Sequence, residues 1–289
     1  MNDSEQDVDS EAAADAFGVL ADDTRIDILL SLPQSDGIPF ADLQRASGIE
    51  DSGRFNYHLD KLVGLFVHKS DAGYRLTSIG ARAVDLLLDA RFGPDSPPPI
   101  DRETDTPCPA CSSPLRVRYE DGDMRLICTD CGAIVQYGYF PPRGRMVRDE
   151  DETLDAYSRQ VWREVTLAHR GLCPHCGGVL ETAVDTDPEW GVDYAATGDC
   201  QQCSTVYSSP LGARLLADPD VVSFLADHGE AIDERRFWEF DFYFDGDAVT
   251  AVSEAPPRYR LTVSEGEERL EVTLDGDGNV VGTARRRPR

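Results

Sequence analysis

Apolar positions in the first ninety residues recur at helical spacing, in short blocks separated by turn-forming residues. In FGVLADDTRIDILLSL, residues 17–32, Phe17 and Leu20 share one face, and Ile26, Leu29 and Leu30 share another. That pattern predicts two short helices broken at Ala21-Asp22-Asp23, with Asp22 or Asp23 capping the second. Ile38-Pro39-Phe40 reads as a short strand and ADLQRASGI as a short helix ending near Gly48. DSGRFNYHLDKLVGLF opens on Asp51 or Ser52 as a cap and buries Phe55, Leu59, Leu62 and Phe66. Arg54, Tyr57, His58 and Lys61 then fall on or beside its outward face. VHKS and YRLT are two strands around Asp71-Ala72-Gly73, and TSIGARAVDLLLDARF is a closing helix.

The pattern changes after residue 92. GPDSPPPIDRETDTP is polar and proline-rich, which predicts a linker over 93–106. LRVRYE and MRLIC alternate around Asp121-Gly122-Asp123, as a hairpin does. Leu154, Tyr157, Val161, Val165 and Ala168 form the apolar stripe of a connecting helix. Asp218-Pro219 starts another helix, which stops at Gly229. FWEFDFYF alternates, so it is predicted as a half-buried strand with Trp238, Phe240, Phe242 and Phe244 on one face. RYRLTVS and RLEVTLD form a second hairpin, followed by the turn and strand DGDGNVV and a basic end, ARRRPR.

The predicted fold class is therefore multidomain α+β. Residues 1–10 are expected as a disordered tail and 11–92 as a helix-turn-helix domain. After the 93–106 linker come a β module with two C-x-x-C pairs, Cys108/Cys111 and Cys128/Cys131, which makes it zinc-ribbon-like (107–148), the connecting helix (149–170), a second such module with Cys173/Cys176 and Cys200/Cys203 (171–209) and a small C-terminal α+β unit (210–289).

Helices, helix-turn-helix, β-hairpin and closing helix follow one another in the order of a winged helix, whose second helix-turn-helix element enters the DNA major groove. Arg54 can donate two hydrogen bonds to guanine, Asn56 can pair with adenine, and Lys61 can meet phosphate. Ser52, Tyr57 and His58 lie on the same helix, and Lys69 and Arg75 flank the wing tip. From Ser52 to Arg82 there are five Lys or Arg against two acids, Asp60 and Asp71. FGVLADDTRIDILLSL and FNYHLDKL resemble ArsR-type winged-helix regulators. With GIEDSGRFNYHLDKLVG and GYRLTSIGARAV, the stretch resembles the helix-turn-helix proteins common in haloarchaea. The resemblance implies a homodimer on a partly palindromic double-stranded DNA operator, with the first and last helices of the domain at the dimer contact. ADLQRASGI carries no cysteine, unlike the metal-sensing members.

All eight cysteines lie in four C-x-x-C pairs. Cys108, Cys111, Cys128 and Cys131 form one block, with sixteen residues between its pairs. Cys173, Cys176, Cys200 and Cys203 form another, with twenty-three. Such knuckles present four thiolates to a tetrahedral ion, and four cysteines leave no open coordination position, so both sites are expected to be structural zinc. Iron and crossed pairing between blocks remain alternatives at this stage. Gly132, Gly177 and Gly178 suit the positive φ of the knuckle turns. The two blocks and the C-terminal region resemble the region attached to haloarchaeal winged helices. A protein partner or a small ligand is expected there.

The net charge of −26, from 54 acids and 28 Lys or Arg, is spread along the chain, and Lys61 and Lys69 are the only lysines. Both features resemble halophile proteins, whose surface repulsion is screened by salt. Acidity then reports the solvent more than the partner. No apolar run spans a membrane and the start is unlike a signal peptide, so a cytoplasmic protein is expected. No phosphate loop, H-E-x-x-H or G-x-S-x-G is present, so no enzyme is expected. The expected function is sequence-specific transcriptional regulation. The alternative is a factor that bridges polymerase and promoter without strong sequence specificity.

Overall fold

The computed structural model describes residues 9–34, 36–89, 96–244 and 248–287. Most of the expected tail, and residues 93–95 of the expected linker, lie outside them. The chain divides into two compact units, Glu5–Ser96 and Pro97–Arg289.

The first unit runs α1 (Ser10–Leu20), α2 (Asp23–Leu30), α3 (Phe40–Ser47), α4 (Ser52–Leu62), β1 (Val67–Ser70), β2 (Gly73–Leu76) and α5 (Ser78–Leu88). Asp22 caps α2 by accepting from Arg25 N, and Asp51 caps α4 by accepting from Arg54 N at 2.9 Å. Thr77 Oγ1 caps α5 and also donates to Leu65 O, which ties the start of α5 to the turn before β1. β1 and β2 are antiparallel, and Ile38 adds a single bridge to Tyr74 rather than a strand. The core joins Ile28, Leu29, Leu43, Phe55, Leu59, Leu62, Val67, Tyr74 and Val84. α2 turns inward on Thr24, Ile28 and Leu29, one step round from the expected face, so Leu30 is exposed.

Among its described residues the second unit has three antiparallel sheets. The first is β3 (Ile100–Pro107), β4 (Pro114–Glu120), β5 (Asp123–Cys128) and β6 (Ile134–Tyr139), in that order. After α6 (Pro142–Met146) and α7 (Glu150–His169) comes the sheet β7 (Ala183–Asp185), β8 (Ala195–Asp199), β9 (Val206–Pro210). A 3-10 segment, Leu211–Ala217, leads to α8 (Pro219–Asp227). A 3-10 turn, Phe237–Glu239, and α9 (Asp241–Phe244) precede a four-stranded meander of β10 (Val249–Glu254), β11 (Pro257–Glu265), β12 (Glu268–Asp275) and β13 (Val280–Arg286).

Two expectations are corrected here. Residues 100–106 of the expected linker instead belong to the edge strand β3, with Ile100 opposite Tyr119 and Glu103 opposite Arg116. Its outer face is charged because Asp101 and Glu103 pair with Arg116 across the strands, at 2.8 and 3.4 Å. Charge pairing of this kind hides the hydrophobic alternation. FWEFDFYF is not a strand but the 3-10 turn and α9. Aromatics of both parities are buried, Phe237 and Tyr243 as fully as Trp238 and Phe240, so no polar face exists to define a sheet. The segment packs backbone to backbone on Gly212, where an added Cβ would lie 1.8 Å from Phe242 O.

One continuous core joins regions that the sequence presents as separate modules. Leu154, Tyr157, Val161 and Val165 of α7 belong to the same buried cluster as Leu115, Tyr119, Met124 and Val135 of the first sheet and Leu261, Val272 and Leu274 of the meander. Tyr157 is the aromatic hub, with Phe140 and Phe237 at ring-centroid distances of 6.4 and 6.2 Å. Arg214, 1% exposed, reaches His169 Nδ1 at 3.1 Å and donates to Thr182 Oγ1, tying the 3-10 segment to the end of α7 and the approach to β7.

Candidate functional site

α4 presents its buried stripe to the core through Phe55, Leu59 and Leu62, and its other residues face outward or toward α2. The predicted contact residues separate accordingly. Ser52 opens the helix and is exposed. Tyr57 is 60% exposed, and the Lys61 ammonium lies 5.6 Å from its ring centroid, so these two form an outward cation–π pair. Asn56 donates to Asp60 Oδ2 at 3.1 Å along the same helix.

Arg54, though exposed, and the half-buried His58 reach α2. Arg54 Nη2 donates to Thr24 Oγ1 at 2.7 Å, and His58 Nδ1 lies 3.4 Å from Asp22 Oδ1. Arg54 thus carries a structural contact that its outward position in the sequence pattern does not reveal. Lys69 lies 5.4 Å from the ring centroid of Tyr74 on the β1–β2 hairpin, and Arg75 is half-buried opposite His68. Among the described residues, Ser52, Tyr57, Lys61 and Lys69 are exposed without a side-chain hydrogen bond to another element, Arg54 and Asn56 are exposed but hydrogen-bonded to Thr24 and Asp60, and His58 and Arg75 are half-buried.

The cysteines form two separate clusters, Cys108/Cys111/Cys128/Cys131 and Cys173/Cys176/Cys200/Cys203, each with all four sulfurs within 4.8 Å of one another. Pairing is within blocks. In the first, Cys108–Cys131 and Cys111–Cys128 Sγ distances are 3.7 and 3.4 Å. In the second, Cys173–Cys203 and Cys176–Cys200 are 3.8 and 3.5 Å apart. A disulfide would need about 2.05 Å. Four sulfurs each about 2.3 Å from a central ion stand about 3.8 Å apart, so the donor set fits a tetrahedral metal.

The knuckles are preorganised for that role. Gly178 N and Gln202 N donate to the sulfurs of Cys176 and Cys200 at 3.3 and 3.4 Å. The Ser113 backbone N–H, then its hydroxyl, draw the Cys111 thiol down to about 6, whereas burial pushes Cys108 up to about 12. Gly132 and Gly177 adopt the expected positive φ, 78° and 75°. Gly178 does not: it is small because an added Cβ would lie 2.3 Å from Gln202 Oε1 and 3.1 Å from Cys176 Sγ. His175 stands outside the ligand set.

The flanking arginines of the first sheet are not a free basic patch. Arg116 and Arg118 pair with Asp101, and Arg125 pairs with Asp123 at 3.1 Å while stacking over Tyr137. Arg145 is buried and donates to the carbonyls of Pro98 and Arg148. Among the described residues, no helix is long and apolar enough to cross a membrane.

Residues 105–280 match a family described as a domain of unknown function, DUF7351, and residues 13–87 match a second, DUF7347. No curated protein and no solved structure matches the chain.

Proposed function

From the premise that the chain belongs to the DUF7351 family, whose match covers more than half of it, we propose that it is a sequence-specific DNA-binding transcriptional regulator. In this reading residues 11–92 are a winged helix, α4 is the recognition helix, β1–β2 is the wing, and both cysteine clusters hold structural zinc. The observation that carries it is the outward face of α4. Tyr57 and Lys61 stand exposed on a helix firmly seated by Phe55, Leu59 and Leu62, with Lys69 on the adjacent hairpin. In a chain of net charge −26, both lysines lie in this one region. Phosphate contacts by such groups position a reader on DNA, and base-edge contacts give it specificity.

Dimerisation through the same unit is part of the proposal. α1 buries no residue fully and leaves Phe17 69% exposed, while α5 exposes Ile79 and Leu86, two turns apart on one face. Apolar faces of that kind on the first and last helices suit a self-complementary contact.

The test is an electrophoretic shift of the zinc-loaded chain on duplex DNA from upstream of its own gene, in high potassium salt. Saturable binding that is lost in Tyr57→Ala/Lys61→Ala supports regulation. Equal, weak binding to random duplex, with polymerase co-purifying, supports the bridging-factor alternative instead.

A further inference from the structure

α7 has a solvent face that differs from the other charged surfaces of the chain. At about 100° per residue, Arg159, Arg163, Thr166 and Arg170 fall within about 60° of one another, directly opposite the buried stripe of Leu154, Tyr157, Val161, Val165 and Ala168. Arg159, Trp162, Arg163 and Arg170 are exposed. Acids make up 54 of 289 residues, nearly one in five, yet residues 156–180 contain only Glu164 against three arginines.

The carboxylates nearest this face are already engaged. Glu164 accepts from Gln160 Nε2 at 2.9 Å, and burial raises its pKa; its contact with Arg163 is a loose 3.6 Å. Asp155 is held by Arg236 Nε at 2.7 Å, and Glu152 closes the capping box with Asp149. Arg159 and Arg170 have no acidic partner among the described residues. Arg148 and Arg159 line a 590 Å³ groove with Val147, Ala156 and the two engaged acids, Glu152 and Asp155, so the basic face proper begins at Arg159 and runs toward Arg170. Trp162 is anchored by its Nε1–H to Leu216 O at 3.0 Å and stays 38% exposed, so a flat indole surface flanks the arginine row.

Two plainer accounts fall short. Cations at a helix C-terminus complement its dipole, but that effect fades within the last turn, so it covers Arg170 and not Arg159 or Arg163. A merely solvated face would follow the composition of the chain and be acidic. Arginine is suited to phosphate because its planar fork donates in pairs; Arg159 and Arg170 have no acidic partner among the described residues, and Arg163 has only the loose contact with Glu164.

We propose that the outer face of α7, through Arg159, Arg163 and Arg170, binds the phosphate backbone of duplex DNA. This makes the Pro97–Arg289 unit a second, sequence-independent DNA contact. The proposal rests on the regulator reading and adds affinity without specificity to it.

The experiment is fluorescence anisotropy of the full zinc-loaded chain on labelled duplexes, one from upstream of its own gene and one of random sequence, across a fourfold range of potassium chloride. Each arginine that meets a phosphate contributes about 0.9 to the slope of log affinity against log salt. Arg159→Gln/Arg163→Gln/Arg170→Gln should therefore flatten the slope by about 2.7, equivalent to about 40-fold across that range. The loss should be equal on both duplexes. The triple Lys variant should keep most of the slope, and unchanged circular dichroism and zinc content should show that all variants are folded. Normal binding by the wild-type chain with an unchanged slope in the triple Gln variant would overturn this proposal alone. A wild-type chain that binds neither duplex would overturn the regulator reading as well. Loss in Tyr57→Ala/Lys61→Ala confined to the upstream duplex would keep the two contacts distinct.

Discussion

The Glu5–Ser96 unit and the Pro97–Arg289 unit solve the same problem differently. The first closes a small core of aliphatic residues and a few aromatics between short helices, all but α3 capped by a side chain, and one hairpin, with no cysteine at all. The second is larger and rich in antiparallel strands, and its sheets meet around α7 and an aromatic cluster. Its two cysteine clusters sit at the knuckles where strands turn, not at the centre of that core. Helices with amphipathic faces need only one another to be buried. Short strands at the end of a sheet have too little apolar surface to hold a turn, and four thiolates on one ion supply the missing closure.

Metal removal should break the comparison most sharply. The second cysteine cluster has a small apolar surrounding: Ala168, Leu180 and Tyr207 besides its own Cys173 and Cys200. The first cluster is attached to the main core through Cys108 and Cys128. Chelation, or Cys173→Ser, should therefore abolish amide protection across residues 172–206. Cys108→Ser should loosen its knuckles but leave β4 and β5 protected. Hydrogen exchange over residues 10–88 should not change in either case. Apparent metal-binding free energies of small zinc modules reach about 10–16 kcal/mol, so this is the largest effect expected. Equal loss in both units would show that they do not fold independently.

Core truncations come next and should separate the units again. Phe237 is 1% exposed and packs on Tyr157 and Tyr243, so Phe237→Ala should cost about 3–5 kcal/mol in the second unit. Leu59, fully buried on α4, should cost the first unit about 2–5 kcal/mol as Leu59→Ala and leave zinc stoichiometry unchanged. Chemical denaturation followed by tryptophan fluorescence reports the second unit alone, because Trp162, Trp190 and Trp238 all lie there.

The sequence made the first unit more legible than the second, for a physical reason. Its elements are local: α4 could be placed from Asp51, Phe55, Leu59 and Leu62, because a helix records its partner face in its own periodicity. The cysteine sets were legible because spacing alone brings each pair of sulfurs together. β3 was hidden because its outer residues answer to Arg116 on another strand, a non-local pairing. FWEFDFYF misled because a segment buried on every side has no period to read, and alternating acids within it imitated one. The contact that holds the exposed Arg54 depends on Thr24, thirty residues away. The arginine face of α7 was present in the sequence as the complement of its apolar stripe, and an unusual scarcity of acids was the available signal.

A cap tests how far local signals carry the first unit. Asp51 accepts from Arg54 N at 2.9 Å at the start of α4, and Asp51→Ala should cost about 1 kcal/mol in that unit. The same change should weaken DNA binding further than stability alone explains if α4 is the reader, since fraying would displace the turn that carries Ser52 and Arg54. Isothermal denaturation and the anisotropy assay, run on one preparation, separate the two effects.

The smallest effect concerns acid. Asp151 bonds Arg236 and Arg102 at 2.8 and 2.6 Å, and those hydrogen bonds hold its carboxyl below the usual range. A carboxylate depressed in the folded state stabilises above its unfolded pKa, about 3.9, and that contribution disappears as pH falls through the folded value. Asp151 itself is exposed and screened by salt, although Arg236 is mostly buried, so Asp151→Asn should cost no more than about 1 kcal/mol near neutrality. The difference between Asp151→Asn and the wild type should shrink below about pH 4. Thiolate protonation releases metal as pH falls, so the comparison belongs in metal-free chain that keeps the α7 core. A difference that grew with acidity would mean that Asp151 acts through the protonated carboxyl, and the arginine clamp on the first turn of α7 would have to be given up.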